Sequence, residues 1–202
     1  MSISIKSNAP MRFKQAMDRI ERKQMPFAAS MALNNTAWDI KKALDKELVK
    51  SLKNPTPFTL KGIRVKGANK SHLVAYVSIA PVQAKYLKWA IEGGTRRPNK
   101  RALLYPVAQK RNKYGNMARR AVKNLAASPK TFSGTPRGRT TPGLYKRVGP
   151  KGRKQLKLMV SYQRRANYEK RFGFYSTSEK TVKKVMGKNF AAARKKAQQT
   201  KK

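Results

Sequence analysis

From residue 93 to residue 168 the chain carries 21 Lys and Arg and no Asp or Glu. The run opens with TRRPNKR at 95–101, which holds Arg96, Arg97, Lys100 and Arg101. It continues in RGRTTPGLYKRVGPKGRK at 137–154, with Arg137, Arg139, Lys146, Arg147, Lys151, Arg153 and Lys154. A guanidinium fork matches phosphate oxygens two at a time, and an ammonium group binds them as a point charge. Gly and Pro between the cations keep the backbone open to follow an irregular anionic surface. These eleven residues are the candidate contacts to nucleic acid or to an acidic protein. No helix-turn-helix, zinc-finger or RNP pattern accompanies them, so the expected contact is to phosphates and independent of base sequence. Tyr105, Tyr114 and Tyr145 lie among the cations, either as stacking platforms for bases or as plugs of a sheet edge.

Catalytic chemistry finds few residues to use. His72 is the only histidine, and no carboxylate lies near it in sequence as a His-based triad requires. Asp45 and Glu47 are two apart on a helical pattern, so they point to different faces and cannot act as a pair. Five of the eight acids are spread along residues 1–53, among basic neighbours. Gly187-Lys188 lacks the spacing of a phosphate-binding loop. The absence of cysteine excludes disulfides and thiolate metal sites. The expectation is a non-enzymatic protein with no metal and no cofactor.

The elements that position the cations follow from periodicity. Residues 9–24 hold a rough helical stripe of Met11, Phe13, Met17 and Ile20, and Pro26 reads as the start of a second helix. Over 27–52, Leu33, Ala37, Ile40, Leu44, Leu48 and Leu52 mark one face of a long amphipathic helix, ended by NPTP at 54–57. FTLKGIRVKG and HLVAYVSIA alternate as strands of an antiparallel hairpin, the second with Leu73, Ala75, Val77 and Ile79 on one side. Residues 82–92 predict a helix with Val82, Tyr86, Trp89 and Ala90 inward, stopped by Gly93-Gly94 as a C-cap.

RALLYPVA predicts a short buried strand, and residues 110–127 a basic helix. Residues 128–155 hold 5 Gly, 4 Pro and 8 Lys or Arg, which predicts an extended loop or arm with no core of its own. KQLKLMVSYQ resumes strand alternation, with Leu156, Leu158, Val160 and Tyr162 inward. Phe172, Phe174 and Tyr175 form an aromatic knot ahead of a last helix at 177–198, with a stripe of Val182, Val185, Met186, Phe190 and Ala193 and a frayed end. The sum is one α+β domain over 1–202. An antiparallel sheet carries long amphipathic helices on one face, and the basic loop extends from it.

The net charge is +41, with 49 basic and 8 acidic residues. Residues 1–53 account for only +6 of it. A free monomer so charged works against its own repulsion, so an anionic partner is expected. MSISIKSNAPMRFK has no continuous apolar segment of a secretory signal, and no stretch approaches the ~18 apolar residues of a membrane span. A protein that stays in the cytosol, or is assembled there, is expected, away from membranes.

Three stretches resemble a known family. PFAASMALNNTAWDIKKAL, with its Ala-Leu-Asn-x-Thr-Ala core at 32–37, resembles the opening helix of phage tail-completion proteins of the minor tail protein Z type. YLKWAIEGGTRRPNKRALLYPV, followed by YGNMARRAVKNLA and FSG, is similar to phage virion proteins of this broad group. RFGFYSTSEKTVKKVMGKNFAAARKKA is similar to their C-terminal helix after an aromatic turn. The segment 109–155 departs from the shorter members.

The resemblance implies a protomer of a homo-oligomeric ring at the head–tail junction or tail end. Its neighbours would be neck or tail-tube proteins with acidic surfaces, duplex DNA would pass through the lumen, and the protein would reside in the virion. A 202-residue protomer is roughly 40 Å across, a length over which duplex DNA offers about 24 phosphates. Several such chains around one duplex exceed that supply, so part of the charge would face acidic proteins. A ribosome-associated or other sequence-independent RNA- or DNA-binding protein would share this composition, and the sequence leaves that alternative open.

Overall fold

The computed structural model describes residues 2–6, 19–150 and 155–199. The chain is an α+β protein. The single domain expected over 1–202 divides by its contacts into two compact units, residues 1–92 with 170–202, and residues 93–169.

In the first unit, β1 (Ser2–Lys6), β2 (Ile63–Lys66) and β3 (Val74–Ile79) form an antiparallel sheet of order β1-β3-β2. The long helix α1 (Arg19–Ser51) lies on this sheet. Its stripe is legible because five apolar positions recur at three and four residues. Leu33, Ala37, Ile40, Leu44 and Leu48 are all fully buried, against Ala75, Val77, Ile79 and Ile63. The C-terminal helix α5 (Phe174–Gln199) runs antiparallel along α1. Ala28 and Ala32 meet Ala193 and Ala197 at one end, and Thr36 meets Met186 and Asn189 further along. Small residues at the first contact let the two backbones approach closely.

The start of α1 differs from the two helices expected. Residues 7–18 lie outside the described residues, and Pro26 sits inside α1 instead of opening a new helix. Pro26 removes one hydrogen bond. The next turn, Phe27 and Ala28, packs against α5, and that burial outweighs the local break. Asn54, at φ 52°, then turns the chain away ahead of Pro55.

Two further local differences have clear causes. Residues Pro57–Leu60 form one helical turn, α2, where a strand was expected. Thr56 Oγ1 accepts a hydrogen bond from the Thr59 amide at 3.2 Å, and Pro57 follows at the first helical position, a strong N-terminal signal. The helix α3 (Pro81–Glu92) buries Gln83, Leu87 and Ile91, leaving Val82 and Tyr86 exposed. Gln83 takes the inward place because its Nε2 donates to the Phe58 carbonyl at 3.0 Å. That rotates the stripe by one residue from the expected face.

The expected aromatic knot is present. Phe172 and Phe174 are buried edge to face, 6.0 Å between ring centroids, while Tyr175 stands exposed. Of the ending expected to fray, RKKAQQTKK at 194–202, residues 194–199 continue α5 with Ala197 buried, and residues 200–202 lie outside the described residues.

The second unit carries a two-stranded sheet, β4 (Gly94–Arg96) with β9 (Ala166–Tyr168). Its four-stranded sheet has the order β5-β8-β7-β6, from β5 (Leu103–Pro106), β6 (Thr131–Gly134), β7 (Gly143–Val148) and β8 (Gln155–Gln163). Gly93 and Gly94 take positive φ, 71° and 105°, the geometry a chain reversal after a helix needs. A short helix, α4 (Ala121–Ala127), replaces the long basic helix expected from residue 110. The Asn112 side chain accepts from the amides of Tyr114 and Asn116, and Gly115 sits at φ 80°, so a turn displaces the first helical turns.

The segment 128–155 is corrected most. It is not an unstructured arm: β6 and β7 pair as a hairpin, and β7 pairs with β8. Gly, Pro and Arg gather in the tip at 135–142. Leu144 and Tyr145 are buried, and the Tyr145 hydroxyl donates to the Thr141 carbonyl at 2.7 Å. β5 in turn is less buried than expected, with Leu104 and Tyr105 exposed.

Candidate polyanion interface

Strand register decides which cations meet. In the small sheet Arg96 pairs with Ala166. In the large sheet Leu103 pairs with Gln163. The connection 97–102 and the turn 164–165 are therefore pinned at the same end of β8. Arg96, Arg97, Lys100 and Arg101 are thereby set beside Arg164 and Arg165, and all six are exposed.

The hairpin tip arrives at that end too. Gly143 pairs with Ser161, and the Tyr162 amide donates to the Pro142 carbonyl at 2.8 Å. Residues 135–142, with Arg137 and Arg139, thus project from the same end of the sheet. Eight cations, seven of them Arg, gather there, and none is held in an ion pair among the described residues. The Arg139 guanidinium lies 5.4 Å from the Tyr145 ring centroid, a cation–π contact that fixes its direction. A four-stranded edge is about 14 Å wide, and duplex DNA presents roughly eight phosphate charges over that length. Supply and demand are of the same order.

Other predicted residues fall elsewhere. Lys146 and Arg147 lie toward the opposite end of the sheet, where Lys146 pairs directly with Lys157 and the Arg147 amide donates to the Lys130 carbonyl. Arg147 is partly committed, its Nη1 donating to the Pro129 carbonyl at 3.3 Å. Lys151, Arg153 and Lys154 lie outside the described residues. Of the tyrosines, Tyr145 is a buried plug, Tyr114 is half-buried beneath Lys113, and Tyr105 is 57% exposed. Arg164 and Arg165 were missed by sequence reasoning. The signal was available: QRRAN interrupts two alternating stretches as a turn would.

His72 is exposed beside the Asn69 turn, its amide donating to Asn69 Oδ1 at 2.6 Å. Asp45 is engaged by Lys41 at 2.5 Å, one turn away. Among the described residues no three His, Asp or Glu side chains gather as a metal site, and no helix is long and apolar enough to cross a membrane.

Comparisons with protein-family models, with curated proteins and with solved structures give no match.

Proposed function

We propose that this chain is a non-enzymatic virion assembly protein of the tail-completion type, a subunit of a ring at the phage head–tail junction or tail end. In this reading it is assembled in the host cytoplasm, and its second unit holds DNA phosphates at the Arg-rich end of the four-stranded sheet. The observation that carries the phosphate contact is the set of three registers, Arg96 with Ala166, Leu103 with Gln163 and Gly143 with Ser161, which gathers cations from three separate segments. The ring reading rests on the resemblance of the α1 and α5 segments to tail-completion proteins. In the structure those two segments pack on each other as one helical layer. RNA or another single strand is the rival partner, favoured by exposed Tyr105 near the same sheet end.

A salt titration of binding to two unrelated duplexes and one single strand tests the contact. Removing four arginines, Arg96, Arg97, Arg164 and Arg165 to Ala, should flatten the log–log slope on duplex by about 3.6, since each phosphate contact contributes about 0.9. Four substitutions at the opposite end, Lys130, Lys146, Arg147 and Lys157 to Ala, should flatten it less. Equal effects at the two ends defeat the assigned site. Tighter binding to the single strand than to either duplex favours the rival. The chain should also be detected in purified, nuclease-treated phage particles, and its absence from them defeats the virion reading.

A further inference from the structure

The first unit carries a second cationic surface, built from none of the residues assigned above. Between α1 and α5 runs an open groove of about 370 Å³, lined by Lys42 and Lys46 on one bank and Lys184 and Lys188 on the other. Its floor is apolar and half-buried, made by Ala43 and Val185. Asp39 and Asn189 close one end. Asn189 Nδ2 donates to Asp39 Oδ2 at 2.9 Å and to Thr36 Oγ1 at 3.1 Å, which locks the two helices in register and occupies the carboxylate.

We propose that this groove docks an acidic amphipathic helix of a partner protein. Each bank presents two lysines one helical turn apart, like charges that disfavour the bare helix and call for opposite charge between them. All four are exposed, and none has an ion-pair partner among the described residues. Four residues of helix rise about 6 Å. Glu or Asp at i and i+4 on a docked helix repeats with the same spacing. The apolar floor selects between anions: a phosphate backbone uses the lysines and gains nothing from Ala43 and Val185, whereas an apolar stripe flanked by carboxylates uses both. Small floor residues also leave a trough between the banks, where a third helix seats by ridge-into-groove packing.

The adjoining surface fits the same occupant. Trp38, 53% exposed, and Val49, 55% exposed, lie by helical spacing on the outward face of α1 beside Lys42. An exposed Trp next to a charged groove is a residue type that anchors protein interfaces. This inference does not depend on the virion reading, because any partner with such a helix satisfies it.

The probe is a fluorescein-labelled synthetic 20-residue helix with a Leu stripe flanked by Glu at i and i+4. A scrambled peptide of the same composition and a 20-base-pair duplex serve as comparisons. Fluorescence anisotropy is measured with the full chain and with two charge-matched variants. The groove variant carries Lys42→Ala, Lys46→Ala, Lys184→Ala and Lys188→Ala. The control variant carries Lys53→Ala, Lys61→Ala, Arg64→Ala and Lys85→Ala, and circular dichroism verifies that both fold. The groove variant should lose about tenfold in affinity for the amphipathic helix, as expected for a set of exposed ion pairs. The control variant should lose much less, and Trp38→Ala should also weaken the helix. Equal losses in the two variants overturn the proposal, as does a scrambled peptide that binds as tightly. A groove variant that loses duplex affinity while keeping the peptide assigns the groove to phosphates and overturns it as well.

Discussion

Gly143→Ala tests whether the cationic end of the second unit depends on close strand approach. Gly143 opens β7, between Gly134 of β6 and Ser161 of β8. A Cβ placed there collides with the Val160 carbonyl oxygen and meets Leu158 Cδ1 at 2.7 Å and Ser161 Cα at 3.2 Å. Leu158 can rotate aside. The carbonyl and the Cα belong to the β8 backbone, so β7 must lift from β8 at that end. Overpacking of this kind costs about 1–3 kcal/mol. For a unit of this size each kcal/mol lowers the melting temperature by about 4–8 °C. The hairpin tip with Arg137 and Arg139 leaves the sheet at that residue, so the variant should also weaken duplex binding although no cation is removed. Thermal unfolding and amide hydrogen exchange are the assays. Exchange should accelerate over 143–148 and 155–163 and stay unchanged in α1. Unchanged exchange and unchanged duplex affinity would refute both the strand geometry and its link to the cations.

Gly187→Ala has the opposite sign. Gly187 sits within α5 with nothing inside 4 Å of an added Cβ, so Ala should stabilise the helix by about 0.5–1 kcal/mol, read as a raised melting temperature. Leu44→Asp places a charge at a fully buried position of α1 with no basic partner in the core cluster, and should cost several kcal/mol. A soluble variant with the wild-type melting temperature would contradict the packing of α1.

The first unit was legible where burial follows one period. The α1 stripe at Leu33, Ala37, Ile40, Leu44 and Leu48, and the β3 alternation at Ala75, Val77 and Ile79, agree with the observed core residue by residue. Expectations failed where a polar side chain redirected the backbone or claimed an inward place, as at Thr56, Gln83 and Asn112. Hydropathy does not register such local hydrogen bonds. The hairpin at 131–148 was hidden by composition, since the glycines, prolines and arginines of its tip masked two short alternating segments. The cations themselves were plain in the sequence, but their grouping was not. Register sends Lys146 and Arg147 to one end and gathers Arg96 and Arg137 at the other with Arg164 and Arg165, and register is a long-range property.

The chain leaves the first unit after Glu92 and returns to it at Lys170. Beside that crossing the Ala90 carbonyl accepts the amides of Arg171 and Phe172, and Gly94 pairs with Tyr168. This arrangement bears on the order of folding. α1 and α5 stand at opposite ends of the sequence, and their docking closes a loop that contains the whole second unit. Closure becomes harder as the logarithm of loop length. If residues 93–169 fold first, the β4–β9 pair brings their two ends together and shortens the loop that the helices must close. The saving is of order 1 kcal/mol. A nascent chain would then finish the inserted unit while α1 still awaits its partner, and α5, synthesised after that unit, would complete the first core.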